Sequence, residues 1–356
     1  MERTELLGMS SAQLEAFAEE VGEPRYRGRQ LYEWIYRKNT GSFFDMNNIP
    51  RDLRFRFDEI AHVSIPRVLK QRVAADNTRK FLIELEDKKK IETVVIPQSE
   101  SKDTRYTICV STQVGCPLQC AFCGTGLSGF QRNLQAFEIV GQVLASNREL
   151  DRRIKRNDPK MITNVVFMGM GEPMLNYGEM IKSIYLINDQ KGVNIGQRHI
   201  TVSTAGHVDG IRAMAAEKLQ VNLAVSLHAA NDGLRDQLVP LNKKYPINKL
   251  FEAVSDYIKN TGRRVTFEYV LLDGVNMDQK DVDNLVRLVK PLLANVNLIP
   301  YNKVEGVPYK APDSNKANLF YRKLLQAGLT VTIRQERGVD IDAACGQLVV
   351  STATKF

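Results

Sequence analysis

From about Ile108 onward, strand-like and helix-like segments alternate with regular spacing, and this alternation constrains the fold more than any other feature. Short runs rich in valine, isoleucine and threonine are followed by amphipathic stretches such as INKLFEAVSDYIKN. Repeated strand–helix units predict a parallel sheet covered by helices. The strand-like runs are TICVS, NVVFMG, HITVST, VNLAVSLH, VTFEYVLL, NVNLIPYN and LTVTIR. Such units can curl into a partial barrel, although the pattern alone also allows an open, doubly wound sheet.

Glycine-rich and polar motifs follow most of these strands at the point where each strand ends. They are GCPLQCAFC after the first strand, GMGEP after the second, STAG after the third, SLHAAND after the fourth and YN after the sixth. Taken singly, a polar residue at a strand end is most simply a satisfied hydrogen-bonding group. Because the carboxyl ends of parallel strands share one edge of the sheet, the set together predicts a functional site there.

Four of the five cysteines lie between Cys109 and Cys123, and three of them form the motif C-x3-C-x2-C. Thiolates are the ligands of iron–sulfur clusters, and a four-iron cluster uses one sulfur ligand per iron. Cys116, Cys120 and Cys123 would therefore leave one iron open to a small molecule, as in catalytic metal sites. The spacing alone also allows a zinc knuckle completed by a distant histidine or cysteine.

The first 100 residues differ from the rest of the chain. Residues 1–60 have helical periodicity, with a serine N-cap before the first apolar stretch and Gly22 after it. Their mixture of aromatic and arginine residues indicates either a small helical core with a solvated rim or an RNA-docking module. Residues 61–97 are strand-like, and Arg79–Leu85 and Lys90–Ile96 predict a β-hairpin packed against the next domain. Composition alone suggests that Glu92 is an exposed strand carboxylate.

Composition limits the class of protein. The 356 residues are 43% apolar, without an apolar run of membrane-spanning length, and the first twenty residues do not resemble a secretory signal. An odd number of crowded cysteines favours a reducing compartment, so we expect a cytoplasmic protein. A net charge of +8 is compatible with a polyanionic partner. The basic run 148–160 is expected on a connection, either solvated or in contact with phosphates.

The cysteine motif, with Phe122 before its last cysteine, resembles that of the radical S-adenosylmethionine (SAM) superfamily. The run continuing through GFQRNL resembles the RlmN/Cfr family of RNA adenine methyltransferases, and the similarity extends over nearly the whole chain. This resemblance implies an α/β fold built on a partial (β/α)6 barrel. It also implies a helical RNA-docking domain at 1–60, a β-hairpin extension at 61–100, a barrel at 101–338 and a C-terminal segment at 339–356.

The same resemblance implies the cofactors and their ligands. One [4Fe–4S] cluster would be bound by Cys116, Cys120 and Cys123. SAM would be held by the GMGEP glutamate and by polar groups at the other strand ends. The positions that match the family's SAM contacts are Gly171, Glu172, Ser203, Ser226, Leu227, His228 and Asn302.

The remaining two cysteines match a methyl relay in this family. Carbon 2 of adenine is electron-poor and cannot simply attack the SAM sulfonium, so the family consumes two SAM molecules per turnover. One methylates Cys345 in the segment ACGQL, and the second generates the radical that activates this methyl group. The resulting protein–RNA link is a form of covalent catalysis. Glu92 would accept a proton from the ring, and Cys109 would release the product by forming a transient disulfide with Cys345.

The resemblance also implies the partners: 23S ribosomal RNA, the adenine beside the anticodon of some tRNAs, and an external, flavodoxin-like electron donor. We further expect a monomer without membrane association. Pro173 in GEP favours the carbon-2 branch over the Cfr branch, which methylates carbon 8 and confers antibiotic resistance. Two alternatives from other classes are a zinc-containing, non-catalytic RNA-binding protein and a simple electron carrier. Only the relay uses all five cysteines.

Overall fold

The computed structural model describes residues 3–99, 105–154 and 161–350, and its N-terminal part is helical. Ser10 caps the first helix through a capping box with Gln13, as the serine-rich start predicts. A π-helical turn, Glu33–Arg37, extends the second helix. The elements of this part are β1 (Thr4–Glu5), α1 (Ser11–Glu20), α2 (Arg25–Tyr32), α3 (Arg51–Ile60) and β2 (Ala61–His62).

A large mixed sheet forms the centre of the molecule. Its described strands follow the order β14–β13–β12–β11–β10–β9–β6–β5–β4–β3, while β7 and β8 form a separate antiparallel ribbon. The strands are β3 (Arg67–Val73), β4 (Arg79–Glu84), β5 (Lys90–Pro97), β6 (Tyr106–Cys109), β7 (Gln113–Gly115), β8 (Phe130–Asn133), β9 (Ile162–Phe167), β10 (Ile200–Thr204), β11 (Asn222–Ser226), β12 (Val265–Leu271), β13 (Ala294–Pro300) and β14 (Val331–Ile333). From β6 to β14 every neighbouring pair is parallel.

Helices connect the parallel strands, as the alternating pattern predicts. They are α4 (Gly124–Leu127), α5 (Ala136–Ile154), α6 (Tyr177–Asn188), α7 (Val208–Ala216), α8 (Asp232–Leu238), α9 (Ile247–Thr261), α10 (Gln279–Val289) and α11 (Ser314–Gln326). The buried face of α9 carries Ile247, Leu250, Val254 and Tyr257 at helical spacing. This apolar face packs α9 against the core of the molecule.

The parallel part of the sheet is curled. Cys109 at the end of β6 and Arg334 directly after β14 line the same cavity, although six strand spacings separate the two strands. In a flat sheet they would be roughly 29 Å apart. Within the described residues the edge strands β3 and β14 do not pair with each other. The sheet is therefore a partial barrel, which confirms the predicted fold class.

The segment before the barrel differs from its prediction in two respects. The hairpin β4–β5 is present, but β5 pairs antiparallel with β6, so the hairpin continues the barrel sheet instead of packing against it. A third strand, β3, pairs with β4. Both faces of β3 are partly exposed, and the weak alternation of charged and apolar residues in RVLKQRV does not predict a strand.

The basic run 148–160 was expected on a connection, but its first part belongs to a helix. Residues 148–154 form the last turns of α5, and residues 155–160 lie outside the described residues. The Arg148 guanidinium donates two hydrogen bonds to the Asn39 carbonyl oxygen, at 2.9 and 2.7 Å. This arginine therefore attaches α5 to the N-terminal helices.

One hydrophobic core extends from the N-terminal helices into the barrel. Leu14 and Phe57 belong to the same buried cluster as Val165 and Phe267. The N-terminal helices therefore share apolar packing with the barrel. In the part of the chain that the structure describes, no helix is long and apolar enough to cross a membrane.

Candidate active site

The three motif cysteines lie around one cavity at the carboxyl ends of the strands. Cys116, Cys120 and Cys123 all contribute to the lining of this cavity, called here the cluster cavity, which measures about 1010 Å³ and opens to solvent. The β7–β8 ribbon closes the base of their loop through a 2.9 Å bond from Cys116 N to Gly129 O. A second bond, from Ala121 N to Leu238 O, attaches the loop to the barrel. The loop is thus held on both sides.

The thiol environment fits a metal centre. Burial raises the pKa of Cys116 to about 12, and burial also raises the pKa values of Cys120 and Cys123. Without a cation these thiols are therefore neutral at pH 7, whereas a bound metal favours the thiolate form and releases the protons. Three soft sulfur donors in an apolar surrounding match the ligand preference of iron–sulfur clusters.

Most of the residues matched to SAM contacts line the same cavity. They follow β9, lie in β10 and β11, or follow β11 and β13, so their common position results from the parallel order of these strands. The lining residues are Gly171, Glu172, Ser203, Ser226, His228 and Asn302. Leu227 differs, because it is fully buried in the main core and its carbonyl oxygen accepts a bond from Arg235 Nε.

Glu172 is fixed within the loop that follows β9. Its carboxylate accepts hydrogen bonds from Met174 N at 3.1 Å and from Ala205 N at 2.8 Å. Burial raises the pKa of this carboxyl to about 6, against the effect of these bonds. Gly171 adopts a φ of +102°, and a Cβ at this position would lie 2.6 Å from Gln113 Cβ. A glycine is therefore required beside Glu172.

His228 is an acceptor of backbone bonds. Its Nδ1 accepts a 3.1 Å bond from Val270 N, and its ring meets Phe122 edge-on at 4.8 Å between centroids. Burial lowers the pKa of His228 to about 3, and the charge of Arg235 lowers it further. The imidazole is therefore neutral at pH 7 and connects the cysteine loop to the ends of β11 and β12.

Asn302 offers an unused acceptor to a ligand. Its Nδ2 donates a long 3.5 Å bond to Cys345 O, whereas its buried Oδ1 has no hydrogen-bond partner among the described residues. Buried polar atoms without partners are rare, and a bound polar ligand commonly satisfies them. Since Asn302 lines the cluster cavity, this orphaned oxygen supports the fit of a polar cofactor such as SAM.

Cys109 and Cys345 lie in an adjoining cavity. This thiol cavity, of about 680 Å³, is lined by both residues together with Cys123, Asn302 and Arg334. Burial raises the pKa of Cys109 to about 12, the charge of Cys345 raises it further, and Arg334 acts in the opposite direction. All five cysteines are free thiols in the structure. The Cys109–Cys345 disulfide therefore stays a prediction.

The segment that carries Cys345 crosses the mouth of the site. Gly124 N donates to Gly346 O at 2.7 Å, and Thr125 Oγ1 donates to Leu348 O at 2.6 Å. A Cβ on Gly124 would lie 2.5 Å from Val349 Cγ2, so this glycine permits the close approach. The C-terminal segment is thereby attached to the helix that directly follows Cys123.

Comparison with known proteins identifies the architecture. Residues 110–286 match the model of the radical SAM superfamily, and residues 4–63 match the N-terminal domain of ribosomal RNA large subunit methyltransferases. A protein of Syntrophomonas wolfei, named "Probable dual-specificity RNA methyltransferase RlmN", is 59% identical over 98% of both chains. The chain belongs to the RlmN family of radical SAM RNA methyltransferases.

Other relatives extend this assignment. The dual-specificity RNA methyltransferase RlmN of Marinomonas sp. is 41% identical over 98% of this chain and 94% of its own. A radical SAM methyltransferase from Sphaerobacter thermophilus has a crystal structure that superposes with a TM-score of 0.91, at 43% identity, covering 97% of this chain and 99% of that one. The family resemblance in the sequence is confirmed, and membership implies a [4Fe–4S] cluster and SAM.

Glu92 was expected to be an exposed strand carboxylate, and this expectation is wrong. Its side chain is completely buried, since the C-terminal segment covers this part of β5. Val349 N donates a 3.0 Å bond to Glu92 Oε2, and Lys80 Nζ lies 3.0 Å from Oε1. The Val349 contact comes from a distant part of the chain and the Lys80 contact from the neighbouring strand β4, so the composition of β5 alone could not reveal them.

Three further charged residues were not identified from the sequence. Arg235 is fully buried and donates hydrogen bonds to carbonyl oxygens at the ends of β10 and β11. Arg334 faces the thiols of Cys345 and Cys109, and Lys80 contacts Glu92. An arginine in a short helix and a lysine in a strand give no sequence signal that separates them from solvent-facing residues.

Proposed function

We propose that this protein methylates carbon 2 of an adenine in 23S ribosomal RNA and of the adenine beside the anticodon in some tRNAs. The RNA substrates are supported by similarity to relatives named dual-specificity RNA methyltransferases. The preference for carbon 2 is supported by Pro173 in the GEP motif. We further propose a cytoplasmic monomer that receives electrons from an external, flavodoxin-like donor.

One observation carries this proposal: the cysteines of the motif and those of the relay lie around two adjoining cavities. Cys123, Asn302 and Cys345 line both cavities, and Cys109 lines the second. A zinc-binding module would use at most one of the two additional thiols, to complete its set of metal ligands. An electron carrier does not require a substrate-sized cavity that continues beyond the cluster. A thiol relay needs both features.

The cluster and SAM, when bound, supply the methyl group and the one-electron chemistry that activates it. Cys116, Cys120 and Cys123 are the proposed cluster ligands. The carboxylate of Glu172 is proposed to accept a hydrogen bond from the amino group of SAM, and Asn302 Oδ1 offers a second acceptor. Gly171, Ser203, Ser226 and His228 are the other proposed positions around the cofactor, whereas Leu227 is fully buried in the core beside this cavity.

The Cys345 thiol is proposed to receive the methyl group. Once activated, the carbon of this methyl group would bond to the adenine ring while it is still attached to the Cys345 sulfur. The ring then loses the proton of carbon 2 to Glu92 and one electron, which the oxidised cluster would accept when bound. Cys109 next attacks the Cys345 sulfur, so that a sulfur–sulfur bond forms while the carbon–sulfur bond breaks. The electron pair of the broken bond stays on the former methyl carbon, which takes up a proton as the product leaves. Arg334, which lines the same cavity as both thiols, favours the thiolate form of Cys109 against the effect of burial.

The N-terminal helices are proposed as an RNA-docking surface. The exposed rings of Phe44 and Phe55 meet edge-on at 5.1 Å. The Arg51 guanidinium lies over the Phe55 ring, at 5.7 Å from its centroid. Exposed aromatic rings stack on unpaired bases, while neighbouring arginines meet phosphates.

The decisive experiment analyses the product. The protein is purified anaerobically, reconstituted with iron and sulfide, and incubated with SAM, reductant and an unmodified 23S rRNA fragment or tRNA. Nucleosides from the digested RNA are compared with 2-methyladenosine and 8-methyladenosine standards by mass spectrometry. We expect 2-methyladenosine in both RNAs. The 8-methyl product would instead assign a Cfr-type activity, and a folded protein without iron and without methylation would overturn the proposal.

A further inference from the structure

A single buried lysine joins the proposed proton acceptor to the segment that carries Cys345. Lys80 in β4 lies diagonally across from Glu92 in β5, since Lys80 pairs with Val94 and Leu82 pairs with Glu92. Its Nζ lies 3.0 Å from Glu92 Oε1 and donates a 3.1 Å bond to Asp342 O. The side chains of Lys80 and Glu92 are 1% and 0% exposed. One ammonium group therefore contacts both the carboxylate and the C-terminal segment.

The charges around Glu92 favour this lysine as its counterion. From β4 the carboxylate faces Lys80, and from the C-terminal segment it faces Val349 N and the more distant carboxylate of Asp342. Burial raises the pKa of Glu92, whereas Lys80 and the Val349 bond lower it, and Asp342 raises it. Among the groups that lower the pKa of this carboxyl, Lys80 has the largest effect.

We propose that Lys80 is a positioning residue that keeps Glu92 ionised and aligned with the Cys345 segment until Glu92 accepts the proton from the adenine ring. This inference rests on the proposed role of Glu92. A proton acceptor must be a carboxylate before it acts, and an isolated buried carboxyl takes up a proton instead. The bond to Asp342 O places the same ammonium at the base of the segment that brings Cys345 to the site.

The proton transfer itself is balanced between the adenine ring and Glu92. The adenine ring loses one proton to Glu92, whose carboxylate becomes neutral. The product step needs no oxidant or reductant at Lys80. Once Glu92 is neutral, its attraction to the ammonium weakens while the Lys80–Asp342 contact persists.

The first test compares pH profiles of single-turnover methyladenosine formation for the wild type, Lys80→Met and Lys88→Met. Methionine keeps an unbranched side chain only one atom shorter than lysine and removes its charge. Lys88 provides the matched control, because it lies in the same hairpin and pairs with Glu84 while 79% of its side chain is exposed. For Lys80→Met we expect the acidic limb of the profile to move up by at least one pH unit, with recovery of activity at alkaline pH. Lys88→Met should keep the wild-type profile, and an unmoved limb in Lys80→Met would overturn the inference.

The second test uses unfolding of the cluster-free protein and does not depend on catalysis. In Lys80→Met the folded-state pKa of Glu92 rises further above its unfolded value, so stability is retained below pH 4.5 and lost as the pH rises through the folded-state pKa. The stability gap to the wild type should therefore widen with pH, and Lys80→Met/Glu92→Gln should remove this dependence. If Lys80→Met alone does not fold, recovery of folded protein in the double variant supports the inference, and failure to recover contradicts it.

The two tests separate failure of the inference from failure of the proposed function. An active Glu92→Gln variant would remove Glu92 from the chemistry, yet the pH-dependent stability loss of Lys80→Met would persist. The opposite outcome is an inactive Glu92→Gln variant and a Lys80→Met variant with the pH profile and stability of the wild type. It would support the role of Glu92 and overturn that of Lys80.

Discussion

Arg235 and Ala205 are joined by a 2.6 Å hydrogen bond from the guanidinium Nη2 to the backbone carbonyl. The same guanidinium donates to Leu227 O, to Ser226 O and to Asn242 Oδ1. Ala205 N in turn donates to the Glu172 carboxylate. One buried arginine therefore holds the ends of β10 and β11 in place and, through Ala205, the position of Glu172.

We expect Arg235→Met to lower the free energy of unfolding by about 3 kcal/mol, because several buried carbonyl oxygens lose their donor. Urea unfolding of the cluster-free protein measures this loss. Arg212→Met on the exposed face of α7 is the control and should change stability by about 0.5 kcal/mol or less. Equal effects of the two substitutions on stability would contradict the role of Arg235 in holding the ends of β10 and β11 in place.

Gly171→Ala should impair the site more than a glycine substitution at an open position such as Gly178. The new methyl group would meet Gln113 at 2.6 Å in a backbone conformation that alanine rarely adopts, and Gln113 Oε1 accepts the hydrogen bond from Glu172 N. We expect a loss of about 1–3 kcal/mol in stability together with weaker SAM binding, measured by calorimetry. Gly178→Ala in α6 meets nothing within 4 Å and should stabilise the helix by up to about 1 kcal/mol.

The two relay cysteines should fail at different steps. Cys345→Ala removes the methyl acceptor, so we expect neither methyladenosine nor a protein–RNA link, while SAM still binds. Cys109→Ala leaves Cys345 able to accept the methyl group but removes the attacking thiol. A covalent protein–RNA adduct should therefore accumulate. Denaturing gels with labelled RNA separate these outcomes, and clean turnover by Cys109→Ala would exclude Cys109 from product release.

Alkylation should distinguish the cluster ligands from the relay thiols. In reconstituted protein we expect Cys116, Cys120 and Cys123 to be protected from iodoacetamide at least tenfold relative to the same residues after iron removal, because metal coordination consumes their thiolates. Cys345 should be alkylated in both states. Peptide mass spectrometry reads out each site, and protection of Cys345 together with only two motif cysteines would change the ligand assignment.

Phe55→Ala should weaken RNA binding if the N-terminal surface stacks on bases. The expected loss is about 1–3 kcal/mol at constant salt, without a change in the salt dependence. Arg51→Ala should instead reduce the slope of log affinity against log salt concentration by the amount expected for the loss of about one phosphate contact. Tyr185→Ala, an exposed aromatic residue on α6, is the control. Equal binding by all three variants in filter-binding titrations would restore the interpretation of a solvated helical rim.

Local patterns were sufficient for the barrel and for the edge where the site lies. Strand–helix alternation predicted β6 and β9–β14 because the apolar periodicity of each segment is set by its own residues. The order of parallel strands then brought Glu172, Ser203, Ser226 and Asn302 to one cavity. The weakly patterned β3 and the helical part of the basic run were missed, since neither has a strong local periodicity.

The sequence by itself determined the family, the cysteine ligand motif and the fold class, because these depend on residue identity, spacing and periodicity. Only the tertiary structure decided the surroundings of Glu92, which the sequence suggested was exposed and which is buried against Lys80 and Val349. It likewise decided that Arg235 is buried at the ends of β10 and β11 and that Arg334 lines the cavity of two thiols. The ionisation state of such groups depends on burial and on charges from distant segments, and these contacts form only when the sheet curls and the C-terminal segment crosses its open edge.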